Sequence, residues 1–232
     1  MSICVEVNNL VVEYESLQRN GLFSFERKTR IRALDAISFE IKRGEMVALL
    51  GANGAGKSTL LSAISGRIRP VSGKIKTWGK VFTLKGSNPG LVPSMSSREN
   101  VRLLARAYGV PKEDVEEFVS DIEDFCELGE GFDRKYSSLS SGQAGRVGFG
   151  FTTSLNPDIL LMDETLGVGD KNFRKKAEEK SKAFMERGET ILLSTHSLKL
   201  AKDMCSRGLV LENGNLIFDG PIIEAVDTYI GR

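Results

Sequence analysis

A chain of 232 residues, 41% of them apolar, is long enough to bury a core without disulfide support. Its 32 basic and 31 acidic side chains leave a formal net charge of +1, which argues against a surface built to coat nucleic acid, and no nucleic-acid partner is expected. The cysteines Cys4, Cys126 and Cys205 are odd in number and lack Cys-x-x-Cys spacing, which excludes a simple disulfide framework and points to reduced thiols. The N-terminus, MSICVEVNNL, has no basic stretch followed by an apolar run and does not read as a signal peptide. No apolar run reaches the ~20 residues of a membrane-spanning helix, so work at a membrane would go through a partner.

In chain order, Val5 and Val7 alternate with polar neighbours and Leu10 to Val12 follow, which predicts a strand ending near Tyr14. Residues 15–32 are mixed and basic, with Gly21, Phe23 and Phe25, and read as a long loop or hairpin. Ile37, Phe39 and Ile41 alternate again before a turn at Arg43-Gly44. Val47 to Leu50 is a continuous apolar run, as in a strand buried on both faces. A helix through Leu60, Leu61 and Ile64 is expected to stop before Pro70. Ser97 to Tyr108 and Asp114 to Leu128 carry apolar residues at helical spacing. This middle region lacks strand signals and reads as an inserted helical subdomain of roughly residues 90–155. Ile159 to Met162 and Ile191 to Leu193 read as buried strands, and Phe173 to Arg187 between them as a charged, exposed helix. Asn213-Gly214 marks a hairpin turn inside Leu209 to Asp219, and Ile222 to Tyr229 reads as a short helix. Buried strands alternating with helices predict an α/β fold with a mainly parallel sheet.

Gly51-Ala52-Asn53-Gly54-Ala55-Gly56-Lys57-Ser58-Thr59 matches G-x-x-x-x-G-K-[ST] between a buried strand and a helix, the context that a phosphate-binding loop requires. Its glycines let the backbone wrap close to phosphates, and the N–H groups at the helix start point inward. In that arrangement Lys57 neutralises the β- and γ-phosphates of ATP and Ser58 ligates Mg²⁺. Ile159 to Met162 ends in Asp163 and Glu164. In a phosphate-loop protein Asp163 fits the Walker B position near Mg²⁺, and Glu164 can orient the attacking water and accept its proton. Leu139-Ser140-Ser141-Gly142-Gln143 precedes a helix and offers free N–H groups to an anion. His196, in Ser194-Thr195-His196-Ser197, is the only histidine and follows an apolar strand.

Taken together, these motifs resemble the ATP-binding cassette (ABC) ATPases over essentially the whole chain. The phosphate loop is the Walker A element, and Leu139 to Gln143 is similar to the LSGGQ signature with Ser141 in place of its first glycine. The resemblance implies that His196 touches the γ-phosphate, that Tyr14 stacks on adenine, and that Gly169-Asp170 forms the D-loop. It implies a P-loop NTPase (RecA-like) core with an N-terminal antiparallel β subdomain and an inserted helical subdomain, all within a single nucleotide-binding domain over residues 1–232. The family's glutamine between the Walker A element and the signature is not matched: Ser87 and Asn88 stand near that slot, and Ser87, Asn88 or water would replace it. The run Asp163-Glu164-Thr165-Leu166-Gly167-Val168-Gly169-Asp170-Lys171-Asn172-Phe173 looks like the branch that exports capsule, O-antigen and teichoic-acid polysaccharides. Ser97-Arg98-Glu99-Asn100, Tyr136 to Gly142, the 15–32 insertion and the segment from Gly220 to Tyr229 resemble that branch too. The chain resembles its short form, without a C-terminal carbohydrate-binding domain.

The resemblance further implies a head-to-tail dimer that sandwiches two ATP molecules. Each site would take Lys57, Ser58, Asp163, Glu164 and His196 from one copy and Ser140, Gly142 and Gln143 from the other. Separate integral-membrane permease subunits would hold the chain at the cytoplasmic face of the bacterial cytoplasmic membrane, meeting it in a groove near Ser87 to Asn100. The rival expectations are an ABC transporter ATPase for another cargo and a soluble ABC ATPase outside transport.

Overall fold

The computed structural model describes residues 2–18, 27–85, 90–163, 173, 175–177, 179–180, 183 and 189–231. The chain divides into two compact units, one of residues 1–79 and 192–232, the other of residues 80–191.

The first unit begins with two long strands, β1 (Ile3–Gln18) and β2 (Arg27–Lys42), paired antiparallel. The register runs from Ile3↔Lys42 through Tyr14↔Ile31 to Gln18↔Arg27, so residues 15–18 and 27–32 pair as strands, in keeping with the hairpin of the two expected readings, and residues 19–26 lie outside the described residues. The first strand therefore continues past Tyr14, its expected end. Tyr14, Glu15, Arg30 and Ile31 are exposed, so backbone pairing holds this part without the apolar alternation that marks a half-buried strand. A third strand, β4 (Ser72–Thr77), pairs antiparallel with β1 and makes a three-stranded sheet in the order β2-β1-β4. Its burial is shallow and its sequence, SGKIKT, is polar, which is why periodicity did not announce it. The inward face of β1 and β2 places Val5, Val7, Leu10, Val12, Leu34 and Ile41 fully out of solvent.

The same unit contains β3 (Met46–Leu50), β8 (Arg207–Glu212) and β9 (Asn215–Pro221). The β3–β8 pair is parallel, from Val47↔Arg207 to Leu50↔Val210, and all five residues of β3 are buried. β8 and β9 form the antiparallel hairpin predicted at Asn213-Gly214, whose φ values of 47° and 80° suit the tight turn. Helix α1 (Lys57–Ile64) follows β3. Two later helices, α5 (Leu198–Met204) and α6 (Ile222–Ile230), complete the unit, with Ala225 and Val226 of α6 fully buried.

The second unit opens with β5 (Val81–Lys85), paired parallel with β6 (Ile159–Asp163) in a register ending at Lys85↔Asp163. Helices α2 (Ser97–Ala107), α3 (Val115–Cys126) and α4 (Ser141–Ser154) lie between these two strands in sequence. Ser96 and Glu99 form a capping box that starts α2. The buried Asn100 side chain accepts from Val92 N and donates to Val92 O and Ser96 O, which folds the preceding turn onto the helix. Val101, Val119, Ile122, Phe132 and Phe151 form one core cluster. Each such side chain contributes about 1.5–3 kcal/mol through burial.

The segment expected as a charged, exposed helix has described residues in helical conformation, but Phe173 and Ala177 are buried. Phe173 packs edge-on against Phe125 and Phe149, with Arg146 over its ring. Strand β7 (Thr190–Ser194) crosses the division between the units and is buried throughout.

Candidate functional site

The fully buried β3 fixes the direction from which the chain enters Gly51. A β-carbon on Gly51 would lie 2.5 Å from the Leu211 carbonyl oxygen, so glycine alone lets the loop leave the sheet this close to β8. Gly56 is the N-cap of α1 with φ 107°, and a β-carbon there would lie 2.7 Å from Leu34 Cδ2 and 2.8 Å from Ala33 O. Behind it Gly214 N donates to Ala55 O at 3.1 Å, and Asp35 N donates to Gly214 O at 2.8 Å. The β8–β9 turn and β2 thus form a rigid backing for the loop. Pattern reading found the turn but not this use of it; the coincidence of three glycines with two facing strands is visible only in space.

The working face of the loop is open. Ala52, Asn53, Gly54 and Ser58 are exposed, while Gly51, Ala55 and Lys57 are buried. No side chain caps α1 and no acidic residue sits in its first turn, so the leading N–H groups and the positive end of the helix dipole face outward unneutralised. The Lys57 ammonium donates to Gly51 O at 2.7 Å and to Ala52 O at 3.0 Å, which curls the loop around its own lysine. A polyphosphate fits this cradle: backbone donors at the helix start, a lysine inside the curve, and glycines where a side chain would block approach.

Tyr14 on β1 stands half-exposed, its hydroxyl 3.1 Å from Thr59 Oγ1. The aromatic ring is thereby held beside the first turn of α1. β7 is the neighbour of β3 in the sheet and ends at Ser194. Thr195 Oγ1 accepts from Ser197 N, and Ser197 Oγ accepts from Leu200 N at the start of α5. These two bonds fix the exposed His196 between strand and helix. Tyr14, the loop Gly51 to Thr59 and His196 thus all belong to the first unit.

Asp163 is buried at the end of β6 in the second unit. The same unit carries Ser140 to Gln143 at the start of α4. Ser140 and Gln143 form a capping box: Gln143 N donates to Ser140 Oγ, and Ser140 N donates to Gln143 Oε1. This consumes two of the helix's orphan donors and leaves the N–H groups of Ser141 and Gly142. Ser140, Ser141 and Gln143 are exposed. The helix start therefore leaves two backbone donors uncapped by these side chains, on a face where Ser140, Ser141 and Gln143 are exposed. Glu164, Asp170, Ser87 and Asn88 lie outside the described residues.

A family model described as "ABC transporter" matches residues 34–167, more than half of the chain. The teichoic acids export ATP-binding protein TagH of Lactococcus lactis is 39% identical over 85% of the chain, which spans 42% of that protein. The O-antigen export system ATP-binding protein RfbB of Klebsiella pneumoniae is 35% identical over 89% of the chain and 84% of its own length. The TagH protein of Staphylococcus haemolyticus is 32% identical over 99% of the chain and 89% of its own length. Among solved structures, an ATP-binding cassette captured as a dimer in a post-hydrolysis state with ADP and Pi superposes with a TM-score of 0.79 at 25% identity, covering 94% of this chain and 98% of that one. With a P-loop NTPase fold and a family match over more than half of its length, the chain belongs to the ABC transporter family as an ATPase domain.

Proposed function

We propose that the chain hydrolyses ATP to drive export of a cell-surface polysaccharide, of capsule, O-antigen or teichoic-acid type. The observation that carries this reading is its identity of 32–39%, over most of the chain, to ATP-binding proteins named for teichoic-acid and O-antigen export. The run from Asp163 to Phe173 supports the same branch. The chain would be a single nucleotide-binding domain in which roughly residues 90–155 act as the helical subdomain.

ATP binding falls to the loop Gly51 to Thr59, with Tyr14 against the adenine. Lys57 leaves the Gly51 and Ala52 carbonyls for the β- and γ-phosphates. Ser58 and Asp163 would hold Mg²⁺, which supplies charge neutralisation at the transferring phosphoryl group. Glu164 takes the proton of the attacking water, and His196 contacts the γ-phosphate from the end of β7. The signature donors of Ser141 and Gly142 face solvent, and their phosphate is supplied by a second copy. A head-to-tail dimer would complete each site with Ser140 to Gln143 and Asp170 of the partner. It would exclude water on closing and reopen once the γ-phosphate contacts are lost. Among the described residues no helix is long and apolar enough to cross a membrane. The pumping step would therefore pass to separate permease subunits, with this chain peripheral at the cytoplasmic face of the bacterial cytoplasmic membrane.

The test has two arms. Glu164→Gln should retain ATP binding while turnover with Mg²⁺ falls by about 10²–10⁴, the usual contribution of a positioned base. Turnover at the wild-type rate would remove Glu164 from the mechanism. In cells, Lys57→Ala should deplete surface polysaccharide and accumulate the polymer inside. Normal surface polysaccharide in cells that carry only this variant would point to another cargo.

A further inference from the structure

Helix α4 is a weak helix by composition. Of its 14 residues, Gly142, Gly145, Gly148 and Gly150 are glycine, and Thr152 and Thr153 are β-branched. Glycine is the poorest helix former after proline, and β-branched side chains lose rotamer freedom in a helix. The helical state of α4 therefore comes from packing against other elements.

That packing converges on Phe173. Its ring is 2% exposed and meets Phe125 of α3 edge-on at 5.2 Å and Phe149 of α4 at 6.3 Å. Phe125 and Phe149 stack on each other at 5.8 Å. The Arg146 guanidinium of α4 lies 4.9 Å over the Phe173 ring and donates to Cys126 O at 3.2 Å, which ties it to the last residue of α3. Gly150 makes room for this seat, because a β-carbon there would lie 3.0 Å from Phe125 Cδ1. The described residues between 173 and 180 are helical, and Phe173, Lys176, Ala177 and Lys180 fall at the spacing of one helix face. Lys176 pairs with Glu127, just past α3. Lys180 donates to Ser154 Oγ at the end of α4, at 3.1 Å, and stands 4.3 Å over the Phe125 ring. All of these residues belong to the second unit.

We infer that Phe173 is a positioning residue for the signature: seated between α3 and α4, it holds α4 helical and so fixes the first turn, where Ser141 and Gly142 offer their N–H groups to the ATP of a second copy. The inference rests on the dimer proposed above. The ring removes conformations that the glycines of α4 would otherwise admit. A first turn that is ordered only part of the time lowers the apparent affinity for its phosphate by that fraction. A dimer uses two such turns, so the loss enters twice.

The test uses the full chain. Amide hydrogen exchange without nucleotide should be about tenfold or more faster across residues 141–150 in Phe173→Ala, and within about twofold of the parent across α1 and α2. In the Glu164→Gln background, light scattering with Mg²⁺ and ATP should show the protein concentration for half-dimerisation raised about tenfold or more. Affinity of the monomer for a fluorescent ATP analogue should stay within about twofold, because the phosphate loop belongs to the first unit. Phe173→Leu keeps apolar volume without the ring edges. It should move exchange and dimerisation about threefold in the same directions, and it carries the test if Phe173→Ala does not fold. Lys175→Ala, on the exposed side of the same stretch, should move neither. Faster exchange throughout the chain would make Phe173 a general core residue and overturn the inference. A loosened α4 with parent-like dimerisation would overturn it as well, since a purely structural role moves exchange alone. If the Glu164→Gln parent forms no ATP-dependent dimer, the proposed function fails at its dimer and this inference fails with it. A failure of this inference alone shows as a dimer that forms equally well without the Phe173 ring.

Discussion

Lys57 Nζ lies 2.7 Å from the carbonyl oxygen of Gly51, six residues earlier in the same loop. The ammonium is buried and bonded to backbone, so the loop is shaped before any phosphate arrives. In the proposed site, phosphate binding would exchange these neutral acceptors for charged ones, and charge-assisted bonds are about twice as strong. Lys57→Ala is expected to lower nucleotide affinity by about 10- to 100-fold, the equivalent of a lost charge-assisted bond of about 1.5–3 kcal/mol. Titration with a fluorescent ATP analogue measures it. Unchanged affinity would remove the lysine from the phosphate site.

Tyr14 offers a ring and a hydroxyl, and the two can be separated. Its hydroxyl meets Thr59 Oγ1 at 3.1 Å. Tyr14→Phe keeps the ring and loses one exposed neutral hydrogen bond, so nucleotide affinity should change by less than about fivefold. Tyr14→Ala loses the stacking surface and should cost about 1–3 kcal/mol, or roughly 5- to 150-fold, by analogy with base–aromatic stacks. If affinities for ATP and for tripolyphosphate fall equally in Tyr14→Ala, the ring does not meet adenine and only positions α1.

Gly56 is where the loop is least tolerant. Its φ of 107° is unfavourable for any L side chain, and a β-carbon would overlap Leu34 and Ala33 O. Gly56→Ala therefore adds backbone strain of at least about 1–2 kcal/mol before any steric cost. At about 2–4 °C per kcal/mol for a chain of this size, the midpoint of thermal denaturation without nucleotide should fall by at least about 2 °C. By contrast, a β-carbon on Gly54 meets nothing within 4 Å, so Gly54→Asn, whose residue type tolerates φ near 84°, should leave the midpoint nearly unchanged. Equal losses in the two variants would show that the close contact behind Gly56 is not what limits the loop.

The strand, loop and helix around Gly51 to Thr59 were legible because their requirements are local: a buried strand, glycines at two close approaches and a helix start follow one another between Met46 and Ile64. The hairpin at Asn213-Gly214 was legible for the same reason. What escaped was structure held by partners distant in sequence. β4 is a shallow edge strand whose polar SGKIKT has no alternation to detect. β1 outruns its apolar pattern because β2 pairs with it to Gln18. Phe173 sits in a charged stretch, and only its contacts with Phe125, Phe149 and Arg146 show that it is an anchor. The capping box was hidden in plain sight: Ser140 and Gln143 were singled out as anion ligands, and they also bond to each other.

The cysteines give a prediction about pH. Burial pushes the thiols of Cys126 and Cys205 up to about 12, because the low-dielectric interior disfavours the thiolate. Cys4 is also buried, and its thiol donates to Ile41 O at 3.4 Å. At pH 8 a group with a pKa near 12 is ionised to only about one part in 10⁴, and the thiolate is the reacting species. Native protein at pH 8 should therefore label slowly with a disulfide reagent, whereas all three thiols should react quickly in denaturant. The sign of the linkage follows. A folded pKa above the unfolded value of about 8.5 means that the folded state holds protons which the unfolded chain releases. The contribution of Cys126 and Cys205 to stability is fully present below about pH 8.5 and is lost as pH rises towards 12. The replacements Cys126→Ala and Cys205→Ala should flatten the decline of the denaturation midpoint between about pH 8.5 and 10.5, at some cost in overall stability from the lost volume. A decline as steep as in the parent chain would mean that other groups govern it.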